Sequence, residues 1–168
     1  PLKRSEFLRR LAILAGGTAA AMSLLPMLEV NYAHAAVTSD GELFTERITY
    51  PGINGDMQAY VARPIEDKKY AAVVVIHENR GLNAHIEDVT RRAAKAGYLA
   101  IAPNALSSLG GTPENDDEAR TKFQQLKAED NLQNFIKVFD YLPSRKDCNG
   151  KFGCVGFCWG GAMSNNLA

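Results

Sequence analysis

The chain has 168 residues, with 19 basic and 19 acidic side chains and no formal net charge at pH 7. Its 46% apolar and 23% charged composition is typical of a globular protein, and its length is sufficient to bury a hydrophobic core. The neutral charge balance gives no indication of nucleic acid or an anionic surface as a partner.

Residues 1–36 are predicted to be an export signal, and residues 37–168 the folded part. Two basic pairs, Lys3-Arg4 and Arg9-Arg10, precede a mostly apolar stretch, and Ala33-His34-Ala35 offers a cleavage site between small residues. Glycine, proline and glutamate interrupt the apolar stretch, so we expect no stable membrane span after cleavage. The expected location is the bacterial periplasm, by the general secretory or the twin-arginine route. It is the cytoplasm if this segment is not a signal.

The first elements of the folded part are predicted to be an antiparallel hairpin, with strands over Leu43–Tyr50 and Gln58–Val61. A continuous β-branched run over residues 71–76 then predicts a central strand that is buried on both faces. A polar loop, residues 77–83, follows this strand.

A strand, helix, strand unit comes next in the chain. Asn83 is predicted to cap a helix with one apolar face, and Gly97 to end it. The apolar residues 98–102 form the following strand, up to Pro103. A succession of about 30 residues of this kind predicts a parallel crossover.

The second half of the chain begins with a predicted loop over residues 104–117, which lies at the carboxyl end of a strand. A short helix is predicted around residues 119–126, and a clearer amphipathic helix runs from about residue 132 to Pro143. A turn at Cys148-Asn149-Gly150 then leads into a last strand.

The motif Gly156-Phe157-Cys158-Trp159-Gly160-Gly161 follows this strand and predicts a sharp turn into a helix. A nucleophile between small residues at such a turn is how an α/β-hydrolase presents its catalytic side chain. We expect that side chains at positions 156 and 160 would collide with the neighbouring strand and helix. Cys158 is therefore the candidate nucleophile.

Three motifs together resemble the dienelactone hydrolase family, the cysteine-nucleophile members of the α/β-hydrolases. They are residues 75–83 (Val-Ile-His-Glu-Asn-Arg-Gly-Leu-Asn), Ala96-Gly97-Tyr98 with Pro103, and residues 156–161. The resemblance covers roughly residues 45–168. It implies an α/β fold with a mostly parallel sheet, helices on both faces and an N-terminal antiparallel hairpin, incomplete at the C-terminus.

The resemblance also implies roles for four residues. Cys158 corresponds to the nucleophile, whose thiolate is favoured at a helix amino terminus. Glu78 corresponds to a carboxylate that contacts the resting thiol and accepts its proton. The backbone N–H groups of Asn79 and Trp159 correspond to the oxyanion hole. The implied reaction is acyl transfer from a small ester or lactone to Cys158, followed by hydrolysis of the thioester, with no metal and no cofactor.

Two arginines are weaker candidates for substrate binding. Arg80 replaces an apolar residue that is common in the family's loop, and this leaves the substrate open. Arg120 corresponds to a family arginine that binds a substrate carboxylate. His77 precedes the nucleophile, so we expect a structural histidine rather than a triad base, and His85 is expected to have no special role.

The three cysteines of the chain give no indication of a metal site. The spacing of Cys148, Cys154 and Cys158, with no nearby histidine, does not match a zinc site. One disulfide is possible, but an unpaired cysteine in a buried strand is favoured for Cys154.

In α/β-hydrolases an acidic residue and then a histidine follow the nucleophile in the chain. We therefore expect these residues beyond Ala168, and we expect the present chain to turn over poorly without them. The alternative hypothesis is a non-catalytic, exported binding protein that reuses the fold. The sequence leaves the oligomeric state open.

Overall fold

The computed structural model describes Thr38 and residues 41–168, so the predicted signal and its boundary at residue 36 lie outside the described residues. Within this part of the chain there are five strands and four α-helices. They are β1 Leu43–Pro51, β2 Asp56–Pro64, β3 Tyr70–Ile76, α1 Ala84–Lys95, β4 Leu99–Pro103, α2 Asp116–Phe123, α3 Ala128–Tyr141, β5 Cys148–Gly156 and α4 Trp159–Leu167. None of the described helices is both long enough and apolar enough to cross a bilayer.

The five strands form one mixed sheet in the order β1-β2-β4-β3-β5. Strand β3 pairs in parallel with β4 and with β5, whereas β2 pairs antiparallel with β1 and with β4. The predicted α/β fold and its N-terminal antiparallel hairpin are confirmed. Because β3, β4 and β5 are parallel, their carboxyl ends meet at one edge of the sheet, which is where α/β folds place their sites.

Helices cover both faces of the sheet. Because successive residues of a strand point to opposite sides, neighbouring residues of one strand enter different cores. Val74 of β3 lies in the core beneath α3 and α4, and its neighbour Val75 lies in the core beneath α1. Each fully buried side chain of this size contributes about 1.5–3 kcal/mol by leaving water. The helix residues in the two cores include Ile86 and Ala94 on α1, Phe135 and Val138 on α3, and Met163 on α4.

Helix α1 begins and ends where the sequence predicts. The side chain of Asn83 accepts a hydrogen bond from the backbone N–H of Ile86 at 3.1 Å, which satisfies one of the unpaired donors of the first turn. Gly97 follows the helix with a φ of +96°, a conformation that costs glycine little. The crossover from β3 through α1 to β4 therefore has the predicted boundaries.

The loop predicted over residues 104–117 contains more regular structure than expected. A short 3-10 helix spans Ala105–Leu109, and the side chain of Asn104 caps it at 3.0 Å. Helix α2 already begins at Asp116, where the side chain of Asn115 accepts two backbone N–H groups. Both starts are asparagine caps, so these asparagines are the signal from which the two helices could have been predicted.

The turn predicted at Cys148–Gly150 lies inside β5, where the pairing with β3 is irregular. Tyr70 pairs with Cys148 and Ala72 pairs with Phe152, so four residues of β5 advance against two of β3. Gly150 has a φ of +83° in this segment. The predicted turn residues therefore do bend the chain, but they produce a bulge within the strand and not a loop before it.

A buried ion network anchors the amino end of β5. The Asp147 carboxylate accepts hydrogen bonds from Arg145 at 2.8 and 2.9 Å and from Arg63 at 3.0 Å, and these three side chains are only 11–13% exposed. Burial opposes ionisation of this carboxyl, but the hydrogen bonds and charge of Arg145 and the charge of Arg63 outweigh it and lower the pKa of Asp147. The ionised form is therefore part of the folded state.

We predict that Asp147→Asn lowers the free energy of unfolding at pH 7 by about 3 kcal/mol, because it leaves two buried guanidinium groups short of a partner. Since the folded pKa of Asp147 is lowered, its contribution is present above the ordinary aspartate pKa of about 4 and is lost as the pH falls through the folded value. Urea denaturation at pH 7 and at lower pH measures both effects.

The matched control is Asp140→Asn, which removes an exposed ion pair with Lys137. Such a pair contributes about 0–1 kcal/mol. Equal losses of stability in the two variants at pH 7 would contradict the account of the Asp147 network.

Candidate active site

Cys158 lies at a sharp turn between β5 and α4, with its side chain exposed to solvent. Its backbone has a φ of +53° and a ψ of −115°. Among the non-glycine residues that the structure describes, no other has a positive φ. Strained backbone of this kind persists only where the surrounding structure enforces it, and it is concentrated at functional sites.

The glycines on either side of Cys158 are enforced by backbone contacts. A Cβ atom at Gly156 would lie 1.9 Å from the Gly160 carbonyl oxygen, and one at Gly160 would lie 2.4 Å from the carbonyl oxygen of Ile76. The predicted collisions with helix and strand are confirmed. At Gly161 a Cβ would lie 3.5 Å from the nearest oxygen, which is an ordinary contact. Positions 156 and 160 therefore hold α4 against the end of β3.

The same contact brings the polar loop 77–83 to the turn. The backbone N–H of Phe157 donates to the Ile76 carbonyl at 3.3 Å. Glu78 is half-buried and Asn79 is exposed. These residues follow β3 directly, and β3 and β5 are parallel neighbours, so the sheet edge brings the predicted site residues of both segments together.

Two backbone donors at this edge have no acceptor among the described residues. The N–H groups of Asn79 and Trp159 make no hydrogen bond to any residue that the structure describes. Such donors can receive an oxygen atom of a ligand. The carboxylate of Glu78 makes no hydrogen bond to the Cys158 thiol in the described part of the chain, so its predicted role as proton acceptor stays a prediction.

His77 is buried and both of its ring nitrogens are hydrogen-bonded. Nε2 accepts from the backbone N–H of Ala105 at 3.0 Å, and Nδ1 lies 2.5 Å from the carbonyl oxygen of Glu78. Burial lowers the pKa of His77 to about 4, although the contact with the carbonyl favours the charged form. The ring is therefore neutral near pH 7, and the predicted structural histidine is confirmed.

Aromatic rings enclose this histidine. The indole of Trp159 stacks on the imidazole with centroids 5.6 Å apart and an interplanar angle of 21°. Phe123 of α2 and Phe135 of α3 meet both rings edge-on, at 4.8–6.4 Å. The sequence pattern places Phe123 and Phe135 on apolar helix faces, but no local signal joins them to Trp159, because the contact depends on tertiary packing.

The two candidate arginines both pair with acids at the start of α2. Arg80 lies 3.4 Å from Asp116, and Arg120 lies 2.8 Å from Asp117. Pairs as exposed as these contribute about 0–1 kcal/mol each. Neither pairing excludes a substrate carboxylate, and the substrate-binding roles of Arg80 and Arg120 stay predictions.

The described residues outside the turn offer two further cysteines, Cys148 and Cys154, and a cavity as candidate sites. All three described cysteines are unpaired, and the Cys154 thiol is directed to the carbonyl of Ser164 at 3.8 Å. No three histidine, cysteine or acidic side chains of the described residues converge as metal ligands would. A cavity of about 500 Å³ opens beside β1 and β2, and no predicted site residue lines it.

We predict that Gly160→Ala destabilises the protein by about 2–3 kcal/mol, because the new methyl group meets backbone oxygens that cannot move without shifting β3. Gly161→Ala, one residue further along α4, is the matched control. It should be neutral or stabilising by up to about 1 kcal/mol, since alanine favours the helix. Thermal and urea denaturation of both variants measure the difference, and equal stabilities would contradict the described packing.

Comparison with known proteins shows which family this chain resembles. A sequence model described as the Dienelactone hydrolase family matches residues 57–168, from β2 to α4. A protein of Escherichia coli K12 named "Putative hydrolase fragment YghX" is 50% identical over 111 residues, which cover 63% of this chain and 95% of that protein. A "Putative carboxymethylenebutenolidase" of Synechocystis sp. is 35% identical over 129 residues, which cover 71% of this chain and 52% of the relative.

Solved structures show the same relationship. The crystal structure of a "Putative Dienelactone Hydrolase" from Klebsiella pneumoniae superimposes with a TM-score of 0.64 and 30% identity, over 75% of this chain and 54% of that one. An acylaminoacyl peptidase of Pyrococcus horikoshii, at 15% identity and a TM-score of 0.56, shares the fold alone. The chain spans about half the length of the carboxymethylenebutenolidase relatives that it matches. It belongs to the dienelactone hydrolase family and has an α/β-hydrolase fold.

Proposed function

We propose that this chain carries the acyl-transfer centre of a hydrolase that cleaves a small carboxylic ester or a lactone through a thioester on Cys158. The observation that supports the proposal most strongly is the backbone of Cys158. A positive φ in a non-glycine residue, enforced by two glycines that cannot be replaced without collision, presents the thiol to solvent at the sheet edge. A buried structural cysteine would not need this geometry.

In the proposed reaction the thiolate of Cys158 adds to the carbonyl carbon of the substrate. A C–S bond forms, and the electron pair of the C=O double bond moves to the oxygen. The N–H groups of Asn79 and Trp159 stabilise this oxyanion. The pair then returns, the C–O bond to the alkoxide breaks, and the alkoxide leaves with the proton that the thiol gave up.

Glu78 is the proposed carrier of that proton. Its carboxylate is half-buried, it directly precedes the oxyanion donor Asn79, and it matches the carboxylate that the family resemblance assigns to this task. If the carboxylate kept its charge, it would repel the thiolate and disfavour its formation, whereas a carboxylate that takes the thiol proton becomes neutral and removes this repulsion.

Hydrolysis of the thioester requires a general base that activates water. The resemblance predicts an aspartate and then a histidine after the nucleophile. The histidines of this chain, His34, His77 and His85, all precede Cys158, and both nitrogens of His77 are already hydrogen-bonded. His77 is therefore not available as that base.

Acyl transfer defines the substrate class as an ester or a lactone. Which member of that class binds depends on the side chains near the site. Arg80 and Arg120 are the candidate groups for a substrate carboxylate, which would compete with Asp116 and Asp117 for them. The chemistry of the proposed step requires no cofactor.

The direct test is acylation with p-nitrophenyl acetate, followed by intact mass measurement and peptide mapping. We predict one acetyl group per chain, on Cys158, formed faster than on the half-buried Cys154 by at least about tenfold because only Cys158 faces oxyanion donors. Cys158→Ala should abolish this rapid phase, and Cys154→Ala, the matched control, should leave it unchanged.

Acetylation that is spread evenly over cysteines and lysines would contradict the proposal. It would favour a non-catalytic binding protein that reuses the fold.

A further inference from the structure

The imidazole of His77 contacts both segments that supply the proposed oxyanion donors. It bonds to the peptide group whose N–H belongs to Asn79, and it stacks on the ring of Trp159, whose own backbone N–H is the second donor. The loop and the turn are thus joined through one buried side chain. The acyl-transfer mechanism described above does not use this ring.

The hydrogen bond between His77 and the Glu78 carbonyl determines the direction in which the Asn79 N–H points. The carbonyl of Glu78 and the N–H of Asn79 belong to one planar peptide group, and the described part of the chain contains no cis peptide bond. In a trans peptide the C=O and N–H bonds point in opposite directions. A side chain that holds the Glu78 carbonyl on the buried side therefore aims the Asn79 N–H away from the core.

The hydrogen bond at Nε2 determines which tautomer the His77 ring adopts. The backbone N–H of Ala105 can only donate, so Nε2, 3.0 Å away, must accept. In a neutral imidazole the proton then lies on Nδ1, which donates to the Glu78 carbonyl. The start of the 3-10 helix after β4 thus selects the tautomer that orients the peptide before Asn79.

The ring itself has no freedom to turn. His77 is 0% exposed, and Trp159, Phe123 and Phe135 enclose it. A fixed donor is what an oxyanion hole needs, since donors that are already oriented cost no reorganisation during the reaction. Burying a polar ring is unfavourable unless it is fully hydrogen-bonded, and here both nitrogens are.

We infer that His77 is a positioning residue, which holds the Asn79 N–H in the direction of the oxyanion and braces the Trp159 segment beside it. The inference rests on the proposed function, because it assigns to His77 the orientation of that oxyanion hole. It adds a role for a side chain that does not touch the substrate.

Two variants separate the two hydrogen bonds. His77→Asn places an amide nitrogen near the position of Nδ1 and keeps a donor for the Glu78 carbonyl, whereas His77→Gln places an amide oxygen near Nε2 and keeps only the acceptor for Ala105. Asn134→Ala is the control for stability. Its buried side chain accepts from Ile53 at 2.8 Å, in the turn between β1 and β2.

Two reactions of Cys158 give the readout. Acylation by p-nitrophenyl acetate passes through an oxyanion, whereas alkylation by iodoacetamide displaces iodide from a saturated carbon and forms none. We predict that His77→Gln slows acylation at saturating ester by about tenfold or more while the half-saturating concentration and the alkylation rate change by less than about twofold. His77→Asn should restore much of the acylation rate, and Asn134→Ala should leave the ratio of the two rates unchanged.

Equal slowing of both reactions, or an acylation rate in His77→Gln that matches His77→Asn, would overturn the inference. The unaltered protein tests the proposed function beforehand. If it is not acylated at Cys158, the proposed function fails and the inference with it, whereas acylation at one rate in all variants overturns the inference alone.

A measurement without any variant covers the case in which a substitution prevents folding. Nitrogen-15 NMR of the His77 ring in the unaltered chain reports which nitrogen carries the proton. Protonation at Nδ1 supports the inference, and protonation at Nε2 overturns it, because the ring would then have no proton to donate to the Glu78 carbonyl.

Discussion

The rest of the structure depends on the close approach of two backbones, where α4 begins against the end of β3. A Cβ at Gly160 would lie 2.4 Å from the carbonyl oxygen of Ile76, the last residue of that strand, and 2.6 Å from that of His77, which follows it, so only glycine permits the contact. Because the helix lies so near, the chain must turn sharply between β5 and α4, and the turn gives Cys158 its φ of +53°. The strain at Cys158 is thus stabilised by packing elsewhere.

The same approach explains why the polar groups converge. Strands β3 and β5 are parallel neighbours, and their carboxyl ends deliver the loop after β3 and the turn at Cys158 to one edge of the sheet. His77 fills the space beneath them with a ring that is neutral because burial lowers its pKa to about 4. A charged ring here would have no acceptor for its second proton, since the N–H of Ala105 faces Nε2.

Local sequence signals account for much of this arrangement. The spacing of Gly156, Cys158 and Gly160 predicts the turn, and Asn83 and Gly97 predict the limits of α1, because each depends on neighbouring residues in the chain. The stacking of His77 on Trp159 and the pairing of Arg80 with Asp116 were not predicted. They join residues 82 and 36 positions apart, so the fold has to exist before either contact is visible. The bulge in β5 is predicted only in part. The residues Cys148–Gly150 predict a turn, but they do not show that this turn lies within a strand.

The central claim is that Cys158 faces two prepared N–H donors, those of Asn79 and Trp159. A crystal structure of the protein after reaction with a small aldehyde tests it most directly, because addition of the thiol gives a hemithioacetal that resembles the tetrahedral intermediate. The account predicts that the hemithioacetal oxygen lies about 2.7–3.1 Å from both backbone nitrogens. An adduct on Cys158 whose oxygen points into solvent, with neither nitrogen in hydrogen-bonding range, would contradict it.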